Sequence, residues 1–208
     1  MEVLTALFGT IIKVKILRLF LFNAEASFFL EEVAERLMVP APAARKELGH
    51  LLDAGFLKKR LITKDIESSQ GGKPVTKKQH GLGYCLDKKF AYLEPLKSLL
   101  TISSIAADDS LAKRFSGVGR LKLLIASGVF IQNWDARVDL LLVGEDLDLH
   151  RIETVIKRLE AEIGKELSYS AFETADFEYR YGIHDRLIRD IFDYPHNTLI
   201  DRLGIEPS

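Results

Sequence analysis

Phe29 to Arg60 reads FLEEVAERLMVPAPAARKELGHLLDAGFLKKR. Leu30, Val33, Ala34 and Leu37 recur at i, i+3, i+4 and i+7, the spacing that gathers apolar side chains on one face of a short helix. Pro40 blocks continuation of that helix, and Met38-Val39-Pro40-Ala41 leaves room for a tight turn. A second helix starts near Pro42, which is tolerated in a first turn because that N–H has no intrahelical partner anyway. Ala44, Leu48, Leu51 and Leu52 form its apolar face, and Gly55 stands where a left-handed C-terminal cap belongs. Arg45, Lys46, Gly49, His50 and Asp53 are left pointing away from the core. Two short helices about a tight turn, the second with a basic outer face, describe a helix-turn-helix.

The residues that follow extend the pattern. Phe56-Leu57-Lys58-Lys59-Arg60-Leu61-Ile62 reads as a strand with a basic segment, and Tyr84-Cys85-Leu86 as a return strand across a polar, Gly-rich loop from Thr63 to Gly83. Strand, loop and strand after such a helix make a wing. KELGHLLDAGFLKKR resembles the winged-helix regulators of the MarR/ArsR type, with their leucine pair, Ala-Gly cap and basic first wing strand. Ala41 departs from the resemblance, since such proteins often carry a Ser or Thr helix cap there; losing a cap costs about 1 kcal/mol. The resemblance implies duplex DNA as partner and a homodimer. Arg45, Lys46, Gly49 and His50 would then face the major groove, and Lys58, Lys59, Arg60, Lys73, Lys77 and Lys78 would contact phosphates or the adjacent minor groove. The loop Ser68 to Gly81 has two readings, a backbone-tracking wing or a surface insertion. Gly71, Gly72 and Gly81 would make it mobile when free.

Charge is distributed unevenly. The net charge is −1, but residues 1–100 carry 16 Lys+Arg against 11 Asp+Glu, and residues 41–82 alone carry 9 against 4. A local basic patch on a near-neutral chain is what a phosphate-contacting surface needs. The chain is 47% apolar, yet it contains no run of eighteen apolar residues, so no membrane partner is expected. The apolar N-terminus carries Glu2, Lys13, Lys15 and Arg18, which is unlike a signal peptide. Residues 2–22 read as helix with a break at Gly9-Thr10, and their surplus apolar surface would face a second subunit. The single cysteine, Cys85, excludes an internal disulfide and fits a reducing cytoplasm.

The second half changes period. Phe90 to Ile105 reads as a closing helix and Ala106 to Ser110 as a boundary leading into a short helix to Phe115. Leu121 to Ala126 and Val138 to Val143 are continuous apolar runs suited to strands buried on both faces. Asp148 to Ile163 has helical spacing, Leu167 to Phe172 alternates like a strand, Thr174 caps a helix, Asp185 to Phe192 makes another, and Asn197 to Leu203 ends as an edge strand. This order resembles the minimal nucleotidyltransferase fold, whose active members place Gly-Ser after the first strand and Asp-x-Asp on the second, with a third carboxylate from a later strand. Clustered oxygens are needed there to hold two Mg²⁺ ions. Here Asp139 matches one carboxylate, Arg137 replaces another, Ser127-Gly128 reverses the Gly-Ser order, and the third strand holds none. Asp139 is then a structural residue paired with Arg137 of another subunit or with a backbone N–H. Ser127, Gly128, Arg137 and Asp139 would line a pocket that holds a nucleotide effector without metal, Arg137 taking a phosphate bidentately.

The fold expected is α/β (α+β): a winged helix-turn-helix domain over 1–105, a linker over 106–118, and a small, non-catalytic, nucleotidyltransferase-like domain with a mixed sheet over 119–208. The function expected is a dimeric DNA-binding transcriptional regulator with a C-terminal ligand-sensing or dimerisation domain. Two alternatives stay open. One is a metal-dependent nucleotidyltransferase whose winged helix holds a protein or nucleic-acid substrate. The other is a winged helix that serves only protein interaction. No metal site is expected, because His50, His80, His150, His184 and His196 lack ligand spacing, and no cofactor is expected.

Overall fold

The computed structural model describes residues 2–70, 73–102, 109–134 and 136–205, with side chains over 3–65, 78–100, 110–134 and 136–205. Among these the chain is mixed α and β with two sheets, one antiparallel and one mixed. It divides into two compact units, Met1–Leu100 with Ala161–Lys165, and Thr101–Glu160 with Glu166–Ser208.

In the first unit, α1 (Glu2–Phe8) and α2 (Ile11–Phe22) are separated at Gly9-Thr10. Thr10 caps α2, its hydroxyl accepting the Lys13 N–H at 3.1 Å. After β1 (Ser27–Phe28) come α3 (Leu30–Arg36) and α4 (Ala41–Asp53). Both helices end in the same way. Val39 N–H reaches Ala34 O (2.9 Å) and Met38 N–H reaches Glu35 O (3.0 Å). Phe56 N–H reaches Leu51 O (3.0 Å) and Gly55 N–H reaches Leu52 O (2.9 Å). This double bond pattern places the residue after each cap in the left-handed region. Gly55 (φ 76°) suits it, whereas Met38 (φ 53°) occupies it with a side chain. The N-cap of α4 is Pro40, and Ala41 lies inside the helix, so the expectation of a missing hydroxyl cap at Ala41 is misplaced by one residue.

The described residues of the region expected as a loop are strand. β2 (Leu57–Gln70) and β3 (Lys73–Leu86) pair in continuous antiparallel register from Leu57↔Leu86 to Gln70↔Lys73. Fourteen residues at about 3.3 Å each give a ribbon of roughly 45 Å, more than twice the length of α4. β1 adds on the far side of β3. The glycines serve packing. A Cβ at Gly83 would collide with Ile62 Cδ1 and lie 3.1 Å from Phe28 O, and one at Gly81 would lie 3.2 Å from the Phe29 ring. Val14, Leu17, Phe20, Phe28, Val33, Leu37, Ala44, Leu48, Leu51 and Phe56 join in one core, which α5 (Leu93–Ile102) also enters through Leu100. Arg18 is fully buried in this unit, donating to Glu162 O at 3.1 Å and Leu100 O at 3.5 Å.

The second unit is a four-stranded sheet in the order β6-β5-β4-β7. β4 (Arg120–Ala126) is antiparallel to β5 (Leu140–Glu145) and to β7 (Asn197–Asp201). β6 (Tyr169–Glu173) is parallel to β5, which requires the crossover supplied by α7 (Leu149–Ile163). Leu123, Ile125, Leu141 and Val143 pack with Phe177 of α8 (Thr174–Gly182) and Ile188 and Ile191 of α9 (Arg186–Phe192). Leu124, Leu140 and Leu142, on the opposite face by alternation, are buried too. Thr174 does not cap α8. Glu173 holds the cap position, and the Thr174 hydroxyl donates to Gly144 O at 3.0 Å. The segment expected as a linker carries the short helix expected there, α6 (Asp109–Arg114), and Leu111, Phe115 and Val118 are buried, while 106–108 lie outside the described residues.

Candidate functional site

α4 buries Ala44, Glu47, Leu48 and Leu51 and leaves Arg45, Lys46 and His50 exposed, with Gly49 half-buried between them. The helix is anchored from within by Glu47. Its carboxylate accepts the Thr10 hydroxyl at 3.0 Å and lies 3.3 Å from Lys13 Nζ and 3.2 Å from His50 Nδ1. Burial pushes the Glu47 carboxyl up, but the hydrogen bonds from His50, Thr10 and Lys13 outweigh it and the net displacement is downward. His50 is thus oriented by a carboxylate of its own helix. Neither Glu47 nor Thr10 was legible as a site residue, because they lie 37 positions apart.

The outward cations separate into two groups. Lys58 pairs with Asp87 at 3.5 Å, Lys64 with Glu32 at 2.7 Å, and Lys88 with Glu25. Lys64 also lies 5.0 Å from the Phe28 ring centroid, on the ribbon face that carries Arg60, Ile62, Gly81 and Gly83, so Arg60 and Lys59 take opposite faces. Arg45, Lys46, Lys59, Arg60 and Lys78 are exposed and make no ion pair with any described residue. Lys58, expected in this surface, is instead partly neutralised by Asp87. Lys73 and Lys77 lie on β3, and their side chains fall outside the described residues. Gly71 and Gly72 also fall outside them. The other ribbon face shows Lys59, Leu61 and Thr63 across from Tyr84, Leu82 and His80. Leu61 and Leu82 are 75% and 61% exposed, so apolar side chains interrupt the cationic track.

Gly49 adds an independent sign. A Cβ there meets nothing within 4 Å. Glycine inside a helix costs about 0.5–1 kcal/mol relative to alanine. No contact with a described residue requires it.

The chain matches no family model, no curated protein and no solved structure. Its chemistry is therefore read from its own geometry.

In the second unit the four residues expected to form a ligand pocket are divided. Ser127 and Arg137 line a cavity of about 400 Å³ with Arg186, Asp190, Ile191 and Tyr194. Gly128 and Asp139 do not line it. Asp139 is buried, its Oδ1 accepting the Val129 N–H at 2.8 Å and its Oδ2 accepting the Ser168 N–H at 2.9 Å. Gly128 (φ 54°) leaves room for that carboxylate, since a Cβ would collide with Asp139 Oδ1. Asp139 thus ties the turn after β4 to the residue before β6, and both its oxygens are committed to backbone donors. Of the two partners foreseen for it, a backbone N–H is found at each oxygen. Arg137 pairs with Asp190 of the same chain, Nε to Oδ2 at 3.1 Å. Arg186, Asp190 and Tyr194 had no sequence signal, because they lie about fifty residues beyond Arg137 and only the fold brings them together. Among the described residues no three His, Cys, Asp or Glu side chains cluster as a metal site, and no helix is long and apolar enough to cross a membrane.

Proposed function

We propose that this chain is a DNA-binding transcriptional regulator that grips duplex DNA as a homodimer. In this reading α3 and α4 are the two helices of a helix-turn-helix, and the β2–β3 ribbon is an elongated wing. The second unit is a nucleotidyltransferase-like domain that has lost its metal ligands and senses a ligand or assists dimerisation. The observation that carries the reading is the outer side of α4. Arg45 and Lys46, which make no ion pair with a described residue, lie one turn ahead of Gly49, where an added Cβ meets nothing within 4 Å. Such charge meets phosphates and guanine edges, and a position without a side chain lets the helix backbone come close to a groove.

Arg45 and Lys46 read base edges, His50 is presented by Glu47, and Lys59, Arg60, Lys78 and the expected Lys73 and Lys77 contact phosphates. A two-stranded ribbon also fits a major groove. Val3 and Leu7, one turn apart on α1, and Ile11 at the start of α2 are exposed, and in this reading they supply the dimer contact. The free thiol Cys85 is in keeping with a reducing cytoplasm.

Fluorescence anisotropy on duplexes selected from a random pool, compared with unselected duplex, tests the roles. Arg45→Ala is expected to cost about 1–3 kcal/mol on selected DNA and far less on random DNA. Equal losses on both would remove the base-reading role. A wild-type chain that binds no duplex would remove the reading altogether.

A further inference from the structure

The cavity in the second unit has the volume of a small-molecule site, about 400 Å³. Its wall gathers two guanidinium groups from distant parts of the chain, Arg137 ahead of β5 and Arg186 at the start of α9. Asp190, one turn further along α9, holds Arg137 through a single Nε contact of 3.1 Å. Arg186 is exposed and makes no ion pair with a described residue. One carboxylate facing two guanidiniums leaves this wall net positive among the described residues. A guanidinium is a planar fork of N–H donors whose geometry matches two oxygens of a phosphate. The rest of the wall is of another character. Ile191 is apolar, Tyr194 offers an aromatic ring that is 60% exposed, and the Ser127 hydroxyl donates to Pro195 O at 3.4 Å, leaving its lone pairs as acceptors.

Charge at one part and an aromatic ring at another select a ligand with an anionic group joined to a flat ring. Asp139, the carboxylate ahead of β5, does not line the cavity, and each of its oxygens accepts a backbone N–H. Among the described residues the cationic groups on the cavity wall are the two arginines.

We propose, resting on the reading of the second unit as a ligand-sensing domain, that this cavity binds a phosphomonoester carried on a planar ring system, as in a nucleoside monophosphate, without a metal ion. Arg137 and Arg186 hold the phosphate, Tyr194 stacks on the ring, and Asp190 competes with the phosphate for Arg137.

The test is calorimetric titration of the full chain with AMP, adenosine and inorganic phosphate, in EDTA and again in Mg²⁺. AMP is expected to bind in EDTA, with a Kd that Mg²⁺ changes less than two-fold, and adenosine at least ten-fold more weakly. Arg137→Ala and Arg186→Ala are each expected to weaken AMP ten-fold or more at unchanged circular dichroism. Arg137→Lys keeps a cation for Asp190 but loses the fork, and it is expected to weaken AMP as well. Asp190→Asn removes the competitor and is expected to tighten AMP several-fold, an outcome that loss of folding does not imitate. Tyr194→Ala is expected to weaken AMP and leave inorganic phosphate unchanged. Absence of AMP binding, a requirement for Mg²⁺, or affinities indifferent to both arginines would overturn the site. Inorganic phosphate binding as tightly as AMP would overturn the role given to the ring.

Discussion

A methyl group added at Gly49 meets no atom within 4 Å, so the protein tolerates alanine there and the helix gains from it. Gly49→Ala is expected to raise unfolding stability by about 0.5–1 kcal/mol while lowering affinity for duplex DNA, measured by urea denaturation and anisotropy on the same preparation. Unchanged affinity would mean that no partner backbone approaches this point. Glu47 behaves differently because its carboxylate works inside the protein. Its pKa is held below the ordinary glutamate value in the folded state, so its contribution is present above that ordinary value and is lost as pH falls through the folded one. Glu47→Gln is expected to cost about 1–2 kcal/mol near neutral pH, and the gap to the native chain should narrow as pH falls below the ordinary glutamate value and through the folded one. A gap that does not narrow with falling pH would show that packing, not charge, is what the glutamate contributes.

At the scale of the element, the connection joining β4 to β5 depends on one carboxylate. Asp139 accepts two backbone N–H groups, from Val129 and Ser168, and Gly128 clears space for it. An asparagine offers one acceptor and turns an amide N–H₂ toward the other donor. Asp139→Asn is therefore expected to lower stability by about 1–3 kcal/mol in a denaturant titration, with AMP binding altered only as far as folding is. A neutral effect would mean that the turn holds without this residue. The ribbon teaches a related point. Thr63 to Gly83 is polar and glycine-containing, and those are loop signals. Cross-strand pairing overrode them, and Gly81 and Gly83 mark places where Phe29 and Ile62 need room rather than places where the chain bends.

At the scale of the whole molecule, the charge that matters is local. The chain as a whole is nearly neutral, yet Arg45, Lys46, Lys59, Arg60 and Lys78 are exposed with no ion pair to a described residue. Each such cation on a phosphate contributes about 0.9 to the slope of log K against log salt. Lys78→Ala is expected to lower that slope by about 1 and to weaken selected and random duplexes alike. A slope identical to the native chain's would place Lys78 away from the phosphates. Much of the fold was legible beforehand. Leu30, Val33, Ala34 and Leu37 at helical spacing, Pro40 as a stop, Gly55 as a cap and the unbroken LKLLIA and LLLV runs all encode local structure, because periodicity and backbone sterics act over a few residues. The partners were not legible. That Glu47 answers Thr10, that Arg18 is buried against Glu162 O, that Asp139 is consumed by backbone donors, and that Arg186 and Asp190 reach Arg137 all depend on where the folded chain carries distant residues. Sequence spacing sets which face a side chain takes on its own element. Only tertiary packing sets what waits across from it.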